Sequence, residues 1–110
     1  MTGLSVGTSY NLTFAAGAYY NTNGQHGLAS GNRGTASARS TAGVEWAALA
    51  FSTDAITSTR STSPSYLNGN WEYKSLVFTA QSSTAVIRFV DHATNALDCI
   101  DIDDVRVIPI

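Results

Sequence analysis

Six aromatic side chains in this 110-residue chain could serve as platforms for a sugar: Trp46, Trp71, Tyr19, Tyr20, Tyr66 and Tyr73. A pyranose presents an apolar C–H face on which a Trp or Tyr ring can stack while polar neighbours bond the hydroxyls. A few apolar platforms with a few placed polar groups are the usual make-up of a small-molecule site. Tyr19 and Tyr20 are adjacent, so on a strand they point to opposite faces and one must look outward. They precede a stretch, 21–42, that holds Asn23-Gly24, Gly27, Gly31 and Gly34, and Trp46 follows it. Arg33 and Asn23, with Gln25 and His26, could supply hydroxyl contacts from there. The expected ligand-binding set is therefore Tyr19, Tyr20, Trp46, Arg33 and Asn23. Trp71 reads instead as a packing residue.

Carboxylates are the second candidate chemistry. A glycosidase needs two of them across a cleft. Glu45, Glu72, Asp54, Asp91, Asp98, Asp101, Asp103 and Asp104 are the supply, and none lies in a recognisable catalytic context. Glu45 and Glu72 fall on strand positions expected to face outward. A Ser–His–Asp set can be assembled from any chain with 13 serines, so it carries no meaning without a motif. The expectation is a protein that is not an enzyme. Asp98, Asp101, Asp103 and Asp104 fall within seven positions. Such oxygens suit Ca²⁺, which takes six to eight oxygen ligands; they equally suit bonds to backbone N–H groups that interrupt edge pairing. His26 and His92 are far apart and Cys99 is alone, which does not make a zinc site.

The composition sets limits on partners. The net charge is −2 with only six Lys and Arg, against the clustered basic residues that phosphate neutralisation requires, so nucleic acid is excluded. No run approaches 18 apolar residues, which excludes a membrane-spanning helix. Charged residues make up 13% of the chain, and 13 Ser, 13 Thr and 7 Asn take their place. That surface, with Lys74 as the single lysine, leans toward an extracellular or cell-surface setting, that of a secreted protein. Met1 to Gly7 has neither the basic start nor the apolar block of a signal peptide. One cysteine permits no intrachain disulfide.

The elements that must position these groups are strands. Apolar residues recur with period two: Tyr10, Leu12 and Phe14; Leu76, Phe78 and Ala80; Ala85, Ile87 and Phe89; Val105 and Val107. Strands are expected over 9–20, 71–80, 85–90 and 100–108. A fifth is expected over 43–51, with Val44, Trp46, Ala48 and Ala50 on one face. A structureless stretch as long as 21–42 is uncommon in a compact domain, so a further short strand is expected near 35–41. Gln81 to Thr84 reads as a tight hairpin. Tyr10, Phe14, Phe78 and Phe89 are core by alternation. Short strands punctuated by turn residues make one all-β, antiparallel β-sandwich domain over 1–110.

Four stretches carry a resemblance. Gly7-Thr8-Ser9-Tyr10-Asn11-Leu12-Thr13-Phe14 resembles a "G-x-x-Y-x-L-x-F" strand. Gly69-Asn70-Trp71-Glu72-Tyr73 through Phe78-Thr79-Ala80 resembles "G-x-W-x-x-y…F-x-A". Ala85 to Phe89 resembles "t-x-L-x-F", and Ile102-Asp103-Asp104-Val105-Arg106-Val107 resembles "I-D-D-V-x-V". In this order they are similar to the jelly-roll carbohydrate-binding modules of families 4 and 9, in the galactose-binding-like superfamily. The resemblance implies a jelly-roll sandwich and a structural Ca²⁺ held by Asp103, with Asp101 beside it. The family's opening "N-G-x-F-E" strand has no counterpart here. Either a minimal jelly roll stands without it, or strands supplied by another copy fill that place, which implies a homo-oligomer. The expected function is a non-catalytic carbohydrate-binding module; the rival is a structural or adhesive β-module of a surface or fibre protein without a sugar site.

Overall fold

A computed structural model describes residues 1–17, 20–21, 32–53, 66–67, 71–92 and 100–110. The described elements are β1 (Ser9–Gly17), β2 (Tyr20–Asn21), β3 (Asn32–Arg39), β4 (Glu45–Thr53), β5 (Tyr66–Leu67), β6 (Glu72–Thr79), β7 (Val86–Asp91) and β8 (Asp101–Pro109). They form two three-stranded antiparallel sheets, β6-β1-β8 and β4-β3-β7, with β2 and β5 paired separately. The protein is an all-β sandwich. The chain passes repeatedly from one sheet to the other, as in a jelly roll. The strand expected near 35–41 is β3, the central strand of its sheet.

Alternation explains the core. Tyr10, Leu12, Phe14 and Ala16 point inward from β1 and meet Ala36 and Ala38 of β3, Phe51 of β4, and Leu76 and Phe78 of β6. Ala36 and Ala38 are small, so the central strand leaves room for Phe14 to cross toward it. The Phe14 ring stands edge-on to Phe51 at 5.1 Å and to Phe89 at 5.0 Å between centroids, the geometry that aromatic quadrupoles favour. Buried Tyr10 keeps its hydroxyl satisfied, because the Ser5 N–H donates to it at 2.8 Å. The β3–β4 hairpin turns through Gly43, whose φ of +89° suits a residue without Cβ. There the Ser40 hydroxyl oxygen accepts from the Val44 N–H.

Three expectations need correction. Residues 81–84 are not a hairpin: they join β6 to β7, which lie in different sheets. Turn residues signal a reversal but not which sheet receives the chain. Glu72 does not face outward. It shares the phase of Leu76 and Phe78, and its carboxylate accepts from Lys74 Nζ at 2.8 Å. Trp46 does not share a face with Ala48 and Ala50. The register slips by one residue between Ala38 and Arg39, which leaves Trp46 as an extra residue on β4. This β-bulge turns the indole inward, where it is half-buried and lies 6.3 Å from the Phe78 ring.

Candidate functional site

The outer face of the β6-β1-β8 sheet gathers the groups that can meet a ligand. The register places Ser75 beside Thr13 and Arg106, and Tyr73 beside Ala15 and Asp103. Successive same-face residues on a strand are about 6.6 Å apart, so Trp71 and Tyr73 form neighbouring platforms. Tyr73 is 70% exposed and Trp71 39%. The central strand supplies a floor of small residues, Thr13, Ala15 and Gly17. A Cβ on Gly17 would lie 3.0 Å from two carbons of the Trp71 ring. The indole packs closely over Gly17, and any Cβ there would make the ring shift. Ala15, on the outward phase, is nonetheless buried, because Tyr73 reaches across the sheet toward β8.

That reach ends on Asp104. The Tyr73 hydroxyl donates to Asp104 Oδ2 at 2.7 Å, and Arg106 Nε donates to Asp104 Oδ1 at 2.8 Å. A second bulge makes this possible. Thr13 pairs with Arg106 but Ala15 pairs with Asp103, so β8 carries one residue more than β1 between those points. Asp104 takes a left-handed φ of +49° there, a conformation that Asp and Asn tolerate better than most residues. Its own N–H donates to Asp103 Oδ1 at 2.7 Å. The bulge resets the alternation. Val107 packs toward the core while Val105 is exposed.

The three groups tune one another. Asp104 is held below the ordinary carboxylate range, first by the Tyr73 hydroxyl and then by Arg106. The same contact raises the Tyr73 phenol above its usual value, and Asp104 raises Arg106. The result is a fixed carboxylate, a fixed guanidinium and a protonated phenol around an open depression of about 400 Å³, bordered also by Thr13, Lys74 and Ser75. It can accept and donate hydrogen bonds beside the Tyr73 ring, with Trp71 on the far side of that ring over Gly17.

Of the expected ligand residues, Arg33 and Trp46 can be compared, and they lie apart. Tyr19 and Asn23 lie outside the described residues, and of Tyr20 only its pairing with Leu67 is described. Arg33 is exposed on the outer face of the other sheet, opposite Ser52, beside a depression it shares with Thr35 and His92. The Thr35 hydroxyl and His92 Nε2 are 2.6 Å apart. Trp46 lies at the opposite end of the β3–β4 ladder from Arg33, about 20 Å away at strand rise. These two cannot share one sugar ring. Asp101 and Asp103 pair with Gly17 and Ala15, on one phase of β8. Among the described residues no three His, Cys, Asp or Glu side chains converge as metal ligands would. Tyr73 had been one of six aromatic candidates, and its parity with Trp71 was legible; the bulge that brings Asp104 to it was not.

No protein-family model matches the chain, and no curated protein matches it.

Proposed function

We propose that the chain is a non-catalytic carbohydrate-binding module acting outside the cell, with its sugar platform on the outer face of the β6-β1-β8 sheet. The observation that carries this reading is the row of two exposed rings, Trp71 and Tyr73, the second tied to Asp104, which Arg106 also holds. Stacking on the rings supplies apolar contact, and the charged pair discriminates hydroxyl geometry. The floor and walls are on strands, so little ordering is needed on binding. Asp104 is already committed to two donors, which suits holding a ligand more than moving protons. A structural Ca²⁺ belongs to the same proposal, with Asp101 and Asp103 as its ligands at the edge of the platform.

The rival reading, a structural or adhesive module, draws on the row just beyond. Val77 and Ile108 are half-exposed on either side of Asn11 on the same face, a surface suited to protein contact. Affinity electrophoresis against a polysaccharide panel separates the two. The sugar reading expects retardation that Trp71→Ala and Tyr73→Ala each weaken at least tenfold, about 1.4 kcal/mol, while Val77→Ser leaves it intact. Absence of retardation on every polysaccharide, with the fold verified by circular dichroism, would overturn the sugar reading in favour of the rival.

A further inference from the structure

The four outer edges of the sandwich are not alike. An edge strand offers unpaired N–H and C=O groups, and proteins guard it with bulges, prolines or inward charges. On β4 the guard is the Trp46 bulge, and on β6 it is Glu72 and Lys74 on the inward phase. On β8 there are two guards. Asp104 forms a bulge. Pro109 falls on the positions whose nitrogens face away from β1, since the Ile110 N–H donates to Ser9. β7 has neither bulge nor proline, and its one inward-phase charge, Asp91, is at its far end.

The β7 hydrogen bonds can be assigned one by one. The His92 N–H donates to the Arg33 carbonyl, so alternation turns Val86, Arg88 and Val90 toward β3. Ala85, Ile87, Phe89 and Asp91 then present their backbone groups to the other side, where no described strand lies. Ala85 is already used. It exchanges two bonds with Met1, N–H to carbonyl at 2.9 Å and ammonium to carbonyl at 3.0 Å. Met1 thus occupies the first position of an antiparallel partner, and no described strand occupies the positions beyond it. Beside that edge the two sheets part. Phe51, Phe89, Val90, Ile100 and Ile102, with Asp91 at the rim, line a largely apolar mouth of about 140 Å³.

We propose that the β7 edge accepts a strand donated by another polypeptide, running antiparallel in line with Met1, with apolar side chains at alternate positions. Ile87, Phe89 and Asp91 offer it a donor and an acceptor each. Its residues opposite Ile87 and Phe89 share their inward face and close the mouth. This is recognition by strand addition, in which main-chain bonds give affinity and alternate pockets give specificity. A second copy of this chain fits less well. Pairing two β7 strands about Phe89 would bring the copy's position 93 opposite Ala85, where Met1 already sits.

The test tethers a surrogate strand, because attachment raises effective concentration and removes weak affinity as an explanation of failure. Six residues, Thr-Thr-Val-Thr-Val-Thr, are added before Met1, so that valines fall opposite Ile87 and Phe89. A control moves each valine one position toward Met1, which reverses the faces. Amide exchange at Ile87 and Phe89 is expected to slow at least tenfold, and the melting temperature to rise, with the in-phase extension alone. Equal exchange in both extended chains would overturn the proposal. So would tenfold protection of these amides in the unextended chain when dilute. Protection in the unextended chain that grows with its concentration would assign the edge to a second copy instead.

Discussion

Phe14→Ala tests the packing most directly. The side chain is fully buried, and its transfer from water is worth about 1.5–3 kcal/mol, with cavity formation raising a Phe→Ala change to about 3–5 kcal/mol. Two edge-on ring contacts, to Phe51 and Phe89, are lost as well, each worth about 0.5–1.5 kcal/mol beyond area. The floor of the sheet cannot collapse to fill the space, because its neighbours Ala36 and Ala38 are short and fixed in the central strand. A loss of about 5 kcal/mol follows, near the top of the single-substitution range. A 110-residue domain has roughly 6–16 kcal/mol in total at about 0.05–0.15 kcal/mol per residue. The variant should therefore keep roughly 1–11 kcal/mol. Urea unfolding followed by Trp fluorescence gives the number, since an m-value of about 1–3 kcal/mol/M converts the loss into a midpoint lowered by roughly 2–5 M. A loss under about 1 kcal/mol with an unchanged m-value would refute the arrangement of the three rings.

The two tryptophans should behave oppositely. Trp46→Ala should cost about 2–3 kcal/mol by urea unfolding, less than a fully buried ring because Trp46 is only half covered, whereas Trp71→Ala should cost about 1 kcal/mol or less. Gly17→Ala should push the Trp71 ring outward by about 0.5–1 Å, since carbon atoms prefer roughly 3.5–4.0 Å; a shifted Trp71 emission with little change in stability is the expected result, and an unchanged spectrum counts against the stacked placement. Asp104 should titrate below an ordinary aspartate by carboxyl NMR, held down first by the Tyr73 hydroxyl and then by Arg106. Because its folded value is the lower one, its contribution is complete above the unfolded value and fades as pH falls through the folded value; Tyr73→Phe should move the midpoint back up. Chelation should lower the melting temperature and added Ca²⁺ restore it, a response that Asp103→Ala abolishes; a melting temperature indifferent to chelator removes the ion.

The strands were legible because burial on one face imposes period two, and β1, β6 and β7 obey it along their length. Phe14, Phe78 and Leu76 could be placed inside for that reason. The failures have a common cause. A bulge adds one residue and inverts every phase beyond it, and no local signal separates Trp46 or Asp104 from their neighbours. Trp46 therefore went from expected platform to half-buried packing, and Asp104 from a strand residue to the anchor of Tyr73. Glu72 failed differently. Charge usually marks the outside, but at a sheet edge an inward-phase Glu72 can still reach Lys74 and water. The candidate site was half visible: Tyr73 was among the aromatics, and Trp71 was read as packing when its ring packs over Gly17 on an outer surface.

The extra residue in β8 has a bearing on how length changes in this strand would be tolerated. Removing Asp104 would leave Ile102, Val105 and Val107 inward and Asp103 and Arg106 outward, an unbroken ladder against β1. Removing Val105 instead would set the Asp104 carboxylate opposite Phe14, facing the interior. Deletions one residue apart would thus have opposite fates, the first regularising the sheet and the second poisoning its core. A strand that would pair more regularly when shortened is carrying its insertion for the sake of the surface, and the carboxylate that bridges Tyr73 and Arg106 is what the insertion supplies.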